Sequence, residues 1–357
     1  MSATAAPETF APGIPVEIGQ INRELKKLWE QSGSTMTRAS LINLAIYSAA
    51  PDSLGKNTAL LSEITEDHAC RALVIAADPS ASGSEAEAWV SAHCHVSRAG
   101  SKQICSEQLS FLLKGESAAL LPNIVFAQLD SDLPLTLWWQ DEFHAPMDPQ
   151  LWAWVDRVIY DSQEWRDFET QMGLVETAQE DARQRIVLCD LNWVRLVHLR
   201  IALAQFFDHP CTHHHLDELA GVEIADAPGF RSTALLLAGW LAAQLEWENP
   251  SVFGDSLGFE KMGDDEKKQS IKVTFAEKAG EPIGCVTVTS ATAEFRVAHE
   301  EGADLLDVRF GRKGGRQMQQ LLPAGKSKPV NLVQEELMRG GPHRVYLRAV
   351  EKVRAFL

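Results

Sequence analysis

A chain of 357 residues is long for a single hydrophobic core, so two domains are expected. Hydrophobic residues make up 45% and charged residues 23%, the mix of an ordinary globular protein. A net charge of −16 excludes a protein built to wrap a nucleic acid backbone, and the longest apolar run, 234–243, is too short to cross a bilayer.

The opening MSATAAPETF reads as disordered, and nothing near it has the basic region and apolar core of a signal peptide. Ile18, Ile21, Leu25, Leu28 and Trp29 then recur at helical spacing. Residues 38–48 predict a strand, 57–66 a short helix, and 71–77 (RALVIAA) a buried strand closed by Asp78-Pro79. Strands are expected at 88–96 and 102–113, a helix at 116–128 despite Pro122, and a strand at 133–139 (LPLTLWW). A helical turn at 151–155 and a strand at 157–160 follow. Helices alternating with buried strands predict a layered α/β domain over 1–165.

A polar helical stretch, 163–185, leads into a second domain over 166–357. Its spine is a continuous helix, 192–207, that Asp190 or Asn192 can cap with a side-chain oxygen. Arg195, His198 and Gln205 share one stripe of this apolar helix and Arg200 stands on the far side. Buried arginines need partners, because an unpaired buried charge is very costly. Two roles stay open: pairing with acidic residues such as Asp156 or Asp161, or direct contact with a protein partner or an anionic ligand. A strand at 221–224 precedes a second apolar helix, 231–247. Its Ala238-Gly239 and Ala242-Ala243 allow close approach of another helix, with the spine helix as the expected neighbour. Residues 253–268, ending in the charged GDDEKK, read as loop. From 270 the apolar period becomes two, which predicts an antiparallel meander, and two short helices (330–339 and 342–357) close the chain. The second domain is therefore α+β, with a meander and buried helices.

Chemistry-bearing motifs are few. No GxGxxG and no GxxxxGK[ST] follows a strand, so no nucleotide cofactor is expected. Cys211 with His213, His214 and His215 suggests a metal, but adjacent histidines on an extended segment diverge and no second ligand pair has zinc spacing. Six scattered cysteines without a CxxC predict a reducing cytoplasm and mostly buried free thiols. Ten tryptophans against three tyrosines favour large apolar anchors, and Trp138 and Trp139, adjacent on a strand, must point to opposite faces. Residues 305–357 carry eleven Lys and Arg against four Asp and Glu. Within that basic stretch, the glycine-rich segment with Arg312, Lys313 and Arg316 suits a solvated turn or the docking of an acidic surface.

Four stretches in order, 132–139 (DLPLTLWW), 156–162 (DRVIYDS), 190–196 (DLNWVRL) and 234–241 (ALLLAGWL), resemble the OpcA family of glucose-6-phosphate dehydrogenase assembly proteins. Glu336-Leu337-Met338-Arg339 and Val345-Tyr346 match its last helices less closely, and the resemblance spans about 38–357. The family's Trp-Arg pair after the helix start is His198-Leu199-Arg200 here, so only Arg200 carries over. The segments 211–215 and 264–268 look like local insertions. The resemblance implies a non-enzymatic cytoplasmic protein, without cofactor or metal, that binds glucose-6-phosphate dehydrogenase and promotes its active form in the oxidative pentose phosphate pathway. Neither nucleic acid nor membrane is an expected partner. The candidate contact residues are Trp138, Trp139, Asp190, Asn192, Trp193, Arg195, Arg200, Arg312, Lys313 and Arg316. Alternatives from other classes are a sugar-phosphate enzyme using the 312–316 loop and a redox-sensing regulator acting through Cys94 and Cys105.

Overall fold

The computed structural model describes residues 12–31, 36–96, 103–144, 149–181, 186–208, 212, 214–262, 268–312, 315, 317–341 and 343–357. The chain divides into two compact units. One comprises Met1–Tyr160, Ala182–Cys189 and Val333–Gly340; the other comprises Asp161–Asp181, Asp190–Leu332 and Gly341–Leu357. The opening residues expected to be disordered lie outside the described residues.

The first unit is built on a nine-stranded sheet. Its strands are β1 (Ile14–Val16), β2 (Met36–Arg38), β3 (Asn43–Ser48), β4 (Arg71–Asp78), β5 (Ser84–Val96), β6 (Gln103–Gly115), β7 (Leu135–Trp139), β8 (Arg157–Tyr160) and β9 (Val187–Asp190). They are ordered β1-β5-β6-β4-β3-β7-β8-β9, with β2 beside β6. Strands β6, β4, β3, β7 and β8 run parallel, while β5 is antiparallel to both β6 and β1. Fully buried runs such as Ala72–Ala77 are what parallel strands covered on both faces require. The helices of this unit include α1 (Ile21–Gln31) and α2 (Ser53–Ile64). The strand expected over 38–48 is two strands, β2 and β3. Asn43 fixes the start of β3, its amide donating to the carbonyls of Asp130 and Leu133 at 2.9 and 2.8 Å. The helix expected over 116–128 is broken into a 3-10 turn, a four-residue helix containing Pro122 and a second 3-10 turn.

The second unit contains α3 (Phe168–Asp181), α4 (Leu191–Arg195), α5 (Val197–Asp208), α6 (Arg231–Gln244) and α7 (Arg344–Arg354). Its eight-stranded sheet holds β10 (Leu219–Asp226), β11 (Glu248–Phe253), β12 (Ser256–Met262), β13 (Lys268–Glu277), β14 (Ile283–Ser290), β15 (Ala293–His299), β16 (Leu305–Arg312) and β17 (Gln317–Pro323). The order is β11-β12-β13-β10-β14-β15-β16-β17.

Four expectations need correction here. The meander is real from β14 to β17, but β10 lies between β13 and β14 and pairs with β13 in parallel. The stretch 253–268 is not a loop: it contains β12 and the start of β13, and its residues 263–267 lie outside the described residues. The spine helix is two helices, interrupted at Leu196, whose N–H donates to the Trp193 carbonyl at 3.2 Å in a tighter turn. Finally, the helix that comes close to Gly239 of α6 is α7: a Cβ on Gly239 would stand 2.5 Å from Val353 Cγ2 and 2.7 Å from the Ala349 carbonyl oxygen.

Candidate functional site

The sequence-predicted residues Asp190, Asn192, Trp193 and Arg195 do come together, at the start of α4 in the second unit. Asp190 is 1% exposed and caps α4, accepting from the Asn192 N–H at 2.9 Å. The same carboxylate accepts from the Ser162 N–H at 3.0 Å, the Ser162 hydroxyl at 2.7 Å and the Tyr346 hydroxyl of α7 at 3.1 Å. One capping side chain thereby holds the 3-10 turn at Ser162–Glu164, α4 and α7.

Asn192, fully buried, extends the network into α6. Its amide donates to Ser162 Oγ at 3.1 Å and Ser232 Oγ at 3.3 Å, while its oxygen accepts from Thr233 Oγ1 at 2.6 Å and from Arg195 at 3.1 Å. Arg195 reaches Asp161 with its two terminal guanidinium nitrogens, at 2.7 and 3.2 Å, and both side chains are under a tenth exposed. This is the paired geometry a buried arginine requires. The Arg200 guanidinium lies 3.4 Å from the centre of the Trp193 ring and donates to the Trp193 carbonyl at 3.3 Å. Trp193, 4% exposed, also packs on Tyr346 with ring centres 5.5 Å apart.

Burial pushes the Asp190 carboxyl up to about 7, with the Asp161 charge adding to the rise. The hydrogen bonds from Ser162 and Asn192 pull the other way. A carboxyl of this kind changes protonation near neutrality while holding three segments of the unit together.

The other predicted residues are elsewhere. Trp138 and Trp139 belong to the first unit, on β7. Trp138 is 4% exposed; Trp139 is half-buried, stacked on Tyr47 at 4.1 Å and close to Trp152 at 5.9 Å. The opposite-face expectation therefore separates a core ring from a ring in an aromatic cluster. Arg312 is exposed at the end of β16 in the second unit. Its neighbours Lys313 and Arg316 lie outside the described residues, as do Cys211 and His213. His215 is buried within hydrogen-bonding distance of Ser290 Oγ, 3.2 Å, and lies against the Phe295 ring, which commits it to the core.

The partners of the DLNW segment are what sequence reasoning mostly missed. The sequence offers Asp161 as an arginine partner but carries no signal for Ser162, Ser232, Thr233 or Tyr346. The thiol expectation is corrected as well: Cys94 and Cys105, directly opposite on β5 and β6, form a disulfide. Cys70, Cys189 and Cys285 are free, and burial pushes the Cys70 thiol up to about 12.

Comparison with known proteins places these features. The glucose-6-phosphate dehydrogenase subunit N-terminal domain profile of the OpcA family matches residues 61–177, and the corresponding C-terminal domain profile matches 186–350. An OxPP cycle protein OpcA of Nostoc punctiforme is 32% identical over 64% of this chain and 49% of its own length. The Synechocystis counterpart is 27% identical over 56% and 41%. The chain spans about half the length of these curated relatives. An aldose-aldose oxidoreductase from Caulobacter crescentus is 10% identical over 88% of this chain and 96% of that one, with a TM-score of 0.47, too loose a likeness to carry an argument. The two matched profiles together cover most of the chain, both sides of the buried Asp190 network included, and the chain belongs to the OpcA family of glucose-6-phosphate dehydrogenase assembly proteins.

Proposed function

We propose that this chain binds glucose-6-phosphate dehydrogenase in the cytoplasm and promotes its active oligomer, without catalysing a reaction itself. The observation that carries the reading is the saturation of the family's DLNW segment by its own unit. Asp190 accepts four hydrogen bonds, and Arg195 is spent on Asp161 rather than presented to a substrate. Such a network fixes helix positions, and a fixed surface is what a binding partner needs. The mechanism is a population shift: a protein that binds the active oligomer more tightly than the inactive form draws the equilibrium toward it. A differential affinity of about 1.4 kcal/mol changes the ratio tenfold.

In this proposal Trp139 and the basic residues Arg312, Lys313 and Arg316 contribute to docking, the latter by long-range attraction to an acidic surface. Asp190, Asn192, Trp193 and Arg200 act indirectly, by holding the framework. The test is co-elution of the purified chain with the host's dehydrogenase on size exclusion with light scattering. A complex of defined mass is expected; two independently eluting species at micromolar concentration overturn the reading.

The Cys94–Cys105 disulfide favours a second reading, in which thiol redox state sets the affinity for the partner. Equal binding by the oxidised chain, the reduced chain and a Cys94→Ser/Cys105→Ser variant would remove it.

A further inference from the structure

Counted in chain order from β3 and leaving out the antiparallel β5, the strands of the first unit stand in the order 3-2-1-4-5-6. This is the doubly wound arrangement whose carboxyl-end crevice, between the first and fourth strands, takes a dinucleotide. The pyrophosphate sits there on free N–H groups where the first strand turns into its helix, and glycines let the backbone approach it. Here the turn from β3 to α2 is Ala49-Ala50-Pro51-Asp52, and no glycine occurs before Gly55, which is already inside α2. Pro51 has no N–H to offer. The Ala50 N–H lies 3.3 Å from Ser48 Oγ, the Ser53 N–H donates to the Ala50 carbonyl at 3.0 Å, and the Ala49 N–H donates to Asp141 Oδ2 at 2.6 Å.

Asp141 arrives from the end of β7, the fourth strand. Two further contacts draw the same strand ends together. Asn57 of α2 and Gln140 exchange side-chain hydrogen bonds, both 3.0 Å, and the Tyr47 and Trp139 rings stack at 4.1 Å. Burial pushes the Tyr47 phenol up to about 12, and the Asp141 charge adds to the rise. A dinucleotide does not fit this turn: β-carbons replace the glycines and an internal carboxylate holds the amide a phosphate oxygen would take.

We infer that Asp141 is a built-in substitute for the phosphate, which closes the switch point of the first unit from within and keeps it free of nucleotide. The inference concerns the first unit alone and stands whether or not the chain binds a dehydrogenase.

The test uses the full chain and the variants Asp141→Ala and Asp141→Asn in phosphate-free and sulfate-free buffer. Inorganic pyrophosphate and NADP⁺ are titrated by calorimetry, with thermal unfolding in parallel. The unaltered chain is expected to give no binding heat with either probe at millimolar concentration. Asp141→Ala is expected to melt about 2–4 °C lower and to bind pyrophosphate saturably, with the melting temperature recovering as it does. Asp141→Asn keeps the side-chain volume and an acceptor while losing the charge, so it tests charge substitution even if the alanine variant fails to fold. Saturable binding of either probe by the unaltered chain overturns the inference. So does a pair of variants that bind pyrophosphate no better than the unaltered chain.

Discussion

Replacing Arg195 by alanine is the sharpest probe of the buried network. Arg195 and Asp161 are 7% and 9% exposed and meet through two hydrogen bonds at 2.7 and 3.2 Å, while Arg195 also donates to Asn192 at 3.1 Å. Arg195→Ala leaves Asp161 charged and nearly buried, with its bidentate partner gone. Breaking one side of a buried pair costs about 3–5 kcal/mol. Each kcal/mol moves the melting temperature of a unit of this size by about 2–4 °C. The expected drop is therefore about 6–20 °C. Urea unfolding followed by tryptophan fluorescence reads it as a lower midpoint at unchanged slope. Removing Asp161 as well takes away the stranded charge, so Asp161→Ala/Arg195→Ala is expected to be less destabilised than the sum of its single variants, by about 0.5–3 kcal/mol. A single variant within about 1 kcal/mol of the unaltered chain, or strict additivity in the double variant, refutes the pairing argument.

Three further predictions rest on particular residues. Asp190 titrates at about 7 in the folded chain against about 3.9 unfolded, so the folded state binds the extra proton between those values and stability falls as pH rises through that window, by about 1.4 kcal/mol per unit; Asp190→Asn, which mimics the protonated form, should flatten that slope, and an unchanged slope contradicts the assignment. Trp138→Ala removes a ring that is 4% exposed and should cost about 3–5 kcal/mol, whereas Trp139→Ala should cost less stability and weaken dehydrogenase binding; equal melting losses with intact binding leave Trp139 no docking role. Arg312→Glu should weaken association mainly at low salt, through the on-rate, and leave the melting temperature within a degree or two; binding unchanged at every ionic strength removes Arg312 from the interface.

Much of the first unit was legible because parallel strands buried on both faces are continuous apolar runs, and β4, β7 and β8 stand out as such. The cap at Asp190 was legible for a local reason, since its bond to the Asn192 N–H spans two residues. Its other partners lie 28 residues away at Ser162 and 156 away at Tyr346, and nothing in periodicity encodes contacts of that range. The interruption at Leu196 was hidden because apolar residues continue through it, without the glycine or proline that marks a helix end. Strands β11 and β12 were obscured by Asn249-Pro250, Gly254 and Gly258, residues that signal turns when no sheet neighbour is known. A two-residue period reports which side chains share a face and says nothing about neighbours in the sheet, so the placement of β10 between β13 and β14 had no local signal. The doubly wound order was hidden in the same way: its usual marker is the glycine fingerprint, and here that turn carries Ala49, Ala50 and Pro51 instead.

The most direct test of the proposed function is an activity titration of glucose-6-phosphate dehydrogenase with this chain, run at several dehydrogenase concentrations. Mass action predicts a saturable rise in specific activity at fixed stoichiometry. The rise should be largest where the dehydrogenase alone is too dilute to hold its oligomer and should vanish where it is already assembled. Activity that does not respond to the chain at any dehydrogenase concentration contradicts the account, as does an activation of equal size at all of them.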